Sequence, residues 1–298
     1  MTFLKRLFAP VAALLALSGT PAVQARSPQS ARPALWSVSD ADTTIYLFGT
    51  IHVLPENVQW RTKKFNEAVS KSQQLMLETI VDQKNPQQLM STFAGMGFAR
   101  GLPPLTERVS PDKRPALITA MQHCGLQGAY VDQMKTWAAA FMLLNCQFRD
   151  LGVTGTEGVE NVLRENFIGS GKPIGELESN ALQLGFFDKL PEPDQRALLE
   201  GSIEQPADMS KEFDSMLKAW AKGDVEQISR TFDQELTGSP ELKDALIKRR
   251  NASWSKWIEQ RMTQPGAVMI AVGAGHLAGP DSVISLLRRD GYRVTRLQ

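Results

Sequence analysis

The sequence predicts an α/β fold, a central and mostly parallel sheet with flanking helices and a large helical insertion. Apolar runs of strand length occur near both ends of the chain, whereas the middle of the chain has helical periodicity. Two intervals between apolar runs carry helical patterns, which is typical of strand–helix–strand units in parallel sheets. The predicted strands are residues 35–38, 45–48, 75–77, 173–177, 267–272 and 292–297.

The predicted helices follow from apolar residues spaced three and four apart. Phe65 and Val69 mark the helix of the first strand–helix–strand unit, and Val283 and Leu287 mark residues 282–289 in the second. The remaining predicted helices are residues 114–124, 131–150, 158–167, 180–187, 194–202, 209–220 and 241–262.

The N-terminus has the residue order of a cleavable secretory signal. Lys5 and Arg6 precede apolar residues 7–17, and small residues then lead to Ala25. A membrane anchor is the alternative, but eleven apolar residues fall short of the roughly 20 that a spanning helix needs. The expected segments are a signal peptide at residues 1–25, a flexible leader at 26–33 and a single domain at 34–298.

Cleavage near Ala25 would leave 31 basic and 32 acidic residues, a net charge of −1. This balance gives no electrostatic reason to expect nucleic acid or an anionic membrane surface as a partner. We expect a periplasmic or secreted protein with no stable membrane anchor after cleavage.

The chain has two cysteines, Cys124 and Cys146. An even number in an oxidising compartment suggests a disulfide, and a hairpin of the two predicted helices would bring the pair together. Two buried free thiols are the alternative. Neither cysteine lies in a C-x-x-C arrangement, which disfavours redox catalysis.

Two of the three histidines occur in matching contexts. His52 ends Gly49-Thr50-Ile51-His52 and His276 ends Gly273-Ala274-Gly275-His276, and each segment directly follows an apolar strand. Open α/β sheets bind ligands at the carboxyl ends of their strands, where Gly49 and Gly273 would allow close backbone approach. We expect both histidines to serve one site, whereas the third, His123, has no such context.

Two acidic residues follow strands in the same way. Glu78 comes directly after residues 75–77, and Glu178 comes directly after residues 173–177. Burying an ionisable group at the end of a strand is costly without a partner, so each is a candidate for the site. Glu178 has an alternative role as an acid at the start of the helix that begins at Asn180.

An arginine interrupts an apolar helical face near the C-terminus. Arg250 lies between Leu246 and Trp254 in the predicted helix, and Asn251 follows it. Such an arginine either pairs with a carboxylate, here Glu78 or Glu178, or binds an oxyanion of a substrate. The sequence leaves both roles open.

Two histidines with one or two carboxylates suit a divalent transition metal such as manganese, cobalt or zinc. The candidate ligands are His52, Glu78 and His276, and the ion would activate a water molecule. Metal-free chemistry is the alternative, with one histidine as general base and a glutamate as its partner. The sequence lacks H-E-x-x-H, G-x-S-x-G, phosphate-binding glycine loops and dinucleotide fingerprints.

Taken together, these residues resemble the TraB/GumN family, which is related to the Tiki metalloproteases. The resemblance spans about residues 34–297 and is most specific in the paired Gly-x-x-His segments. It implies a fold of the erythromycin esterase, ChaN and Tiki type. Glu160 stands where an aspartate is expected in relatives. The residues that carry the resemblance are Leu47 to His52, Glu78, Gly171-Lys172, Leu177-Glu178, Arg250-Asn251 and Val272 to Leu277.

By analogy with Tiki proteins, the resemblance implies metal-dependent hydrolysis of a peptide or another small polymeric substrate. The catalytic residues that the resemblance implies are His52, Glu78, Arg250 and His276. Gly49, Glu178, Asn251 and Gly273 are the expected binding residues. Some family members resemble regulators instead, so the alternative is a non-catalytic periplasmic protein that holds a peptide or glycan in the same cleft.

Overall fold

A computed structural model describes residues 29–55, 58–81, 86–150, 158–203, 206–236 and 239–298. The predicted signal peptide at residues 1–25 therefore lies outside the described residues. Within the described ranges, no helix combines the length and apolar character needed to cross a membrane.

The six predicted strands are all present, and two short strands add to them. The predicted and observed strand boundaries differ by at most two residues. Small differences are expected at the ends of strands, where the pattern of side chains is less regular than in the middle. The strands are β1 (Gln29–Ser30), β2 (Leu35–Ser39), β3 (Thr43–Thr50), β4 (Val58–Gln59), β5 (Gln74–Leu77), β6 (Ile174–Glu176), β7 (Gly266–Gly273) and β8 (Val294–Arg296).

Six of these strands form one mixed, mostly parallel sheet in the order β6-β5-β7-β3-β2-β8. The neighbours from β6 to β3 are parallel, and β2 is antiparallel to both β3 and β8. Strands β1 and β4 form a separate parallel pair. The central sheet thus has the architecture that the sequence predicts.

Helices flank the sheet and fill the long intervals before and after β6. Two helices were not predicted, α2 and α9. The helices are α1 (Lys63–Lys71), α2 (Gln87–Gly97), α3 (Arg114–His123), α4 (Thr136–Asp150), α5 (Val159–Gly169), α6 (Asn180–Asp188), α7 (Glu192–Gly201), α8 (Pro206–Ala221), α9 (Val225–Leu236), α10 (Pro240–Lys243), α11 (Arg249–Arg261) and α12 (Val283–Arg289).

Two predicted helices are interrupted. The predicted helix at 131–150 begins with a 3₁₀ turn at Val131–Gln133, and α4 starts only after Met134, whose backbone is extended and bridges Phe98. The predicted helix at 241–262 is continuous in space but contains a π-helical turn, Asp244–Lys248, between α10 and α11. Such turns change which side chains face the core.

Alternate residues of the central strands pack into two different apolar clusters. On β7, Val268 and Ile270 join the cluster beneath α11 and α12, whereas Met269 and Ala271 join the cluster beneath α1, α5 and α8. The helices α2, α3, α4 and α7 bury a third cluster of their own around Trp137. This period-two burial places successive side chains of a strand on opposite faces of the sheet, each covered by its own helices.

The predicted flexible leader is packed where the structure describes it. Ala31 is buried, and its backbone N–H donates to Gln59 O at 2.8 Å. The N–H of Arg32 donates to Ala221 O at 2.6 Å. Residues 29–33 therefore differ from the expectation of a flexible leader at 26–33, because backbone hydrogen bonds hold a polar segment that has few apolar side chains.

Cys124 and Cys146 form a disulfide in the structure, with a Cα–Cα distance of 5.8 Å. Cys124 is the C-terminal cap of α3, and Cys146 lies in the last turns of α4. The bond joins the two helices of the hairpin on which the sequence prediction relied.

Candidate active site

The parallel strands bring the predicted site residues to one edge of the sheet. Thr50 of β3 pairs with Gly273 of β7, and Leu77 of β5 pairs with Ala271 of β7. These three strands therefore end close together, and the residues that follow them share the space beyond the edge. Strand β6 ends beside β5, which adds Glu178 to the same region.

His52 is held by a carboxylate that the sequence predicted only weakly. Its Nδ1 lies 2.8 Å from Oε1 of Glu160, in the first turn of α5, and Thr50 Oγ1 donates to the same oxygen. The side chain of His52 is 14% exposed, yet its Nε2 is inaccessible and has no hydrogen-bond partner within the described residues. Burial disfavours the charged form, but the charge and hydrogen bond of Glu160, together with the charge of Glu78, raise the pKa of His52.

Glu78 is buried and accepts hydrogen bonds from three sides. Its Oε2 accepts from Arg250 Nη2 at 2.6 Å and from Gln183 Nε2 at 3.2 Å, and its Oε1 accepts from Gly273 N at 2.6 Å. Burial alone would raise the pKa of Glu78, but Arg250 above all lowers it to about 2. Glu78 is therefore an ionised carboxylate over the whole physiological range of pH.

Arg250 pairs with both candidate carboxylates rather than with one. Its Nε and Nη2 each lie 2.9 Å from Oε2 of Glu178, and Nη2 also reaches Glu78. Its Nη1 donates to Leu246 O at 3.3 Å and to His276 Nε2 at 3.0 Å. Each of the three guanidinium nitrogens therefore donates at least one hydrogen bond.

Glu178 is therefore a partner of Arg250, not the cap of α6. The cap is Ser179, whose side chain accepts from the backbone N–H of Leu182. Burial first, and repulsion from Glu78 second, raise the pKa of Glu178 to about 7 against the opposing effect of Arg250. One guanidinium thus serves two buried carboxyl groups with very different proton affinities.

His276 lies between Arg250 and Asn251. Because Asn251 Nδ2 donates to Asp281 O, its Oδ1 is the acceptor for His276 Nδ1 at 2.7 Å. His276 Nε2 accepts from Arg250, and its ring packs on Trp254 with centroids 4.4 Å apart. Burial, followed by the charge of Arg250, lowers the pKa of His276 to about 3, so this histidine is neutral.

The two glycines of the histidine segments permit close approach. A Cβ on Gly273 would lie 3.1 Å from Glu78 Oε1, 3.5 Å from His52 Nε2 and 3.7 Å from His276 Cδ2. A Cβ on Gly49 would come within 3.1 Å of the Ala274 backbone, and Gly49 O accepts from Trp220 Nε1. Gly273 therefore borders the space that the three predicted ligands face, whereas Gly49 serves strand packing.

The donor set suits a divalent metal only in part. His52 Nε2 is free and Glu78 Oε1 is a carboxylate oxygen facing the same space, which fits two ligands. His276 does not fit as the third ligand, because the lone pair of its Nε2 already accepts a hydrogen bond from a cationic guanidinium. Among the described residues, the one group of three donor atoms within 4.8 Å of one another lies elsewhere, at His123, Cys146 and Asp150.

The structure places six of the predicted site residues at this edge of the sheet, namely His52, Glu78, Glu178, Arg250, Asn251 and His276. Two polar residues of the site were not among these candidates. Glu160 is detectable as an acid at the start of a helix, and Gln183 as an amide within the otherwise apolar run of α6. The disulfide residues, Cys124 and Cys146, lie outside this site, on the helical hairpin of α3 and α4.

The sequence profile of the TraB/PrgY/gumN family matches residues 34–296. The uncharacterized protein YbaP of Escherichia coli strain K12 is 23% identical over 256 residues, covering 86% of this chain and 92% of YbaP. YbaP of Shigella flexneri is 24% identical over 243 residues, covering 82% of this chain and 87% of its own. No solved structure matches the chain. The match over nearly all of the sheet and its edge shows that the chain belongs to the TraB/PrgY/gumN family.

Proposed function

We propose that the protein is an exported hydrolase, acting on a peptide or another small polymeric substrate, with His52 as its general base. The observation that carries this proposal is the buried Nε2 of His52, which has no hydrogen-bond partner among the described residues, on a ring whose Nδ1 is held by Glu160. A histidine held in this way presents a free lone pair in a fixed direction, which is what a general base requires.

Glu78 supports the same role from the other side of the space beside Gly273. A water molecule there would donate one hydrogen to His52 Nε2 and the other to Glu78 Oε1, because both are acceptors directed at that space. As the water attacks a carbonyl carbon, His52 takes its proton, and Glu160 stabilises the imidazolium that forms. The proton then passes from His52 to the leaving group.

Arg250 and His276 act as positioning residues in this proposal. Arg250 uses its donors on Glu78, Glu178, His276 and Leu246, so it holds the carboxylate of Glu78 and neutralises part of its charge. His276, oriented by Asn251, holds Arg250 in turn. This assignment favours the ion-pair role of Arg250 over direct binding of a substrate oxyanion.

A divalent metal, the cofactor that the sequence predicts, is a second proposal for the same space. The free Nε2 of His52 beside Glu78 Oε1 favours it, and these two residues would hold the ion. Bound there, manganese, cobalt or zinc would supply Lewis-acid activation of water. Elemental analysis of untagged protein, before and after refilling with each ion, tests this form, with His52→Ala as the comparison because it removes the nitrogen ligand.

The proposed hydrolase is tested by incubating the untagged protein with a peptide library and identifying new termini by mass spectrometry. We expect His52→Ala to reduce turnover by roughly 10²–10⁴-fold, the contribution of a general base. Glu165→Gln is the matched control, since Glu165 is exposed on the same helix as Glu160. Peptide binding without cleavage by the wild type would contradict catalysis and support the alternative of a non-catalytic binding protein.

A further inference from the structure

A second cluster of metal-ligating side chains lies on the helical hairpin formed by α3 and α4. His123 and Cys124 end α3, and Cys146 and Asp150 lie in the last turns of α4. His123 Nε2 is 2.6 Å from Asp150 Oδ2, and a ring nitrogen of His123, a carboxylate oxygen of Asp150 and Cys146 Sγ lie within 4.8 Å of one another. Nothing in the proposed hydrolase uses these residues.

The disulfide prevents this cluster from acting as a metal site in the oxidised protein. Cys124 and Cys146 are bonded to each other, and the sulfur that binds metal ions is the thiolate. Breaking the bond would add two sulfur donors to the imidazole and the carboxylate that already lie beside them.

We propose that, when the disulfide is reduced, Cys124, Cys146, His123 and Asp150 bind a zinc ion. The disulfide and the zinc ion then exclude one another, so the redox state of the cysteine pair controls whether metal is held. The site is distinct from the candidate active site, and the proposal does not depend on the proposed hydrolysis.

The donor chemistry is that of a closed structural zinc site. Zinc in such sites takes four ligands in tetrahedral geometry, drawn from cysteine sulfur, histidine nitrogen and carboxylate oxygen. Thiolates in particular select zinc over the harder cations magnesium and calcium. The side chains of His123 and Asp150 are 62% and 39% exposed, so they are free to adjust their distances around an ion.

Packing keeps the two helices together without help from the disulfide. Leu117 of α3 and Leu144 and Phe148 of α4 are buried in the same apolar cluster, and Met121 packs against it. Burial of these apolar side chains favours the packed hairpin whether or not the two sulfurs are bonded. The four donors therefore stay close to one another after reduction.

The chemical step balances with a dithiol reductant. One thiolate of the reductant attacks a sulfur of the Cys124–Cys146 bond, and its second thiol resolves the mixed disulfide, leaving two cysteine thiols and an oxidised reductant. The guanidinium Nη2 of Arg149 lies 3.5 Å from Cys146 Sγ, where it stabilises a departing thiolate. Zinc then replaces the two thiol protons.

Cadmium titration of the purified full chain tests the proposal, because cadmium bound to thiolates gives an ultraviolet charge-transfer band. The chain has two cysteines, so the band reports on this pair alone. We expect the protein, reduced with a dithiol and then desalted without oxygen, to develop the band at one ion per chain and to bind one zinc in competition. The oxidised protein is expected to give no band.

Variants of the non-sulfur ligands make the test specific. We expect His123→Ala and Asp150→Asn each to weaken zinc binding to the reduced protein by more than the roughly 10–100-fold lost on removing an outer-shell partner. The Cys124→Ser, Cys146→Ser double variant should bind no zinc at this cluster and gives the circular dichroism of a chain without the bond.

Three results would overturn the proposal. One is a reduced, folded protein without the charge-transfer band, and another is unchanged zinc affinity in both single variants. The third is loss of helical circular dichroism on reduction, since the site depends on the hairpin staying packed.

Discussion

The two Gly-x-x-His segments have the same sequence pattern and opposite electrostatic surroundings. His52 pairs with a carboxylate, has a raised pKa and keeps Nε2 free, whereas His276 contacts a guanidinium, has its pKa lowered to about 3 and uses both ring nitrogens. The Gly-x-x-His motif alone therefore does not determine the role of its histidine. The charge of its neighbours decides whether it exchanges protons or holds other groups in place.

The largest expected effect comes from removing the group that makes the two histidines different. Arg250→Met would leave the carboxylates of Glu78 and Glu178 buried without their cation. We expect a loss of about 3–5 kcal/mol in the free energy of unfolding, the range for breaking a buried ion pair. Chemical denaturation monitored by circular dichroism measures it.

Arg249→Met is the matched control for this change. Arg249 pairs with Asp244 at the surface, with its side chain 67% exposed. Exposed pairs contribute about 0–1 kcal/mol, so the control should remain near wild type. Equal losses in the two variants would contradict the central position of Arg250.

The pH dependence of stability should separate the two histidines next. The folded-state pKa of His276 is depressed to about 3, so as pH falls from 6.5 towards 3 the unfolded chain takes up a proton that the folded chain does not. Its contribution to the unfolding free energy therefore falls with decreasing pH, by at most about 1.4 kcal/mol per pH unit. The curve for His276→Gln should be flatter than wild type in this window.

His52 should contribute with the opposite sign. Its folded-state pKa is raised, so it adds stability that is fully present below pH 6.5 and is lost as pH rises through the folded-state pKa. Compared with wild type, His52→Gln should lose stability on the acidic side. Difference curves of the same sign for both variants would show that the two environments are not opposed.

The smallest expected effect concerns the proton affinity of His52 itself. Glu160→Gln keeps the shape of the side chain but removes the charge that raises the pKa of His52. We expect the acid limb of the pH–rate profile to move to lower pH, with lower turnover at the plateau. Glu165→Gln should leave the pH–rate profile unchanged. An unchanged acid limb in Glu160→Gln would contradict the role of Glu160 in raising the pKa of His52.

The candidate site was predictable from local patterns wherever a strand ends in a polar residue. His52, Glu78 and His276 directly follow apolar runs, and Arg250 interrupts an apolar helical face. The pairing of His52 with Glu160 was not predictable from local patterns. Glu160 lies 110 residues beyond Thr50, which donates a hydrogen bond to it, and no periodicity relates the two segments. Helices α2 and α9 were not predicted, although Ile228 and Phe232 of α9 have the i, i+4 spacing that marks a helix.

The strands, the strand-end positions of the polar residues and the family could all be predicted from the amino-acid sequence. Alternation and helical spacing are properties of neighbouring residues, so they are readable without the fold. The charge state of each histidine and the sharing of Arg250 between two carboxylates depend instead on the three-dimensional packing. Those follow from contacts such as the one between Arg250 and Glu78, 172 residues apart, in a buried space where each charge acts strongly on the next.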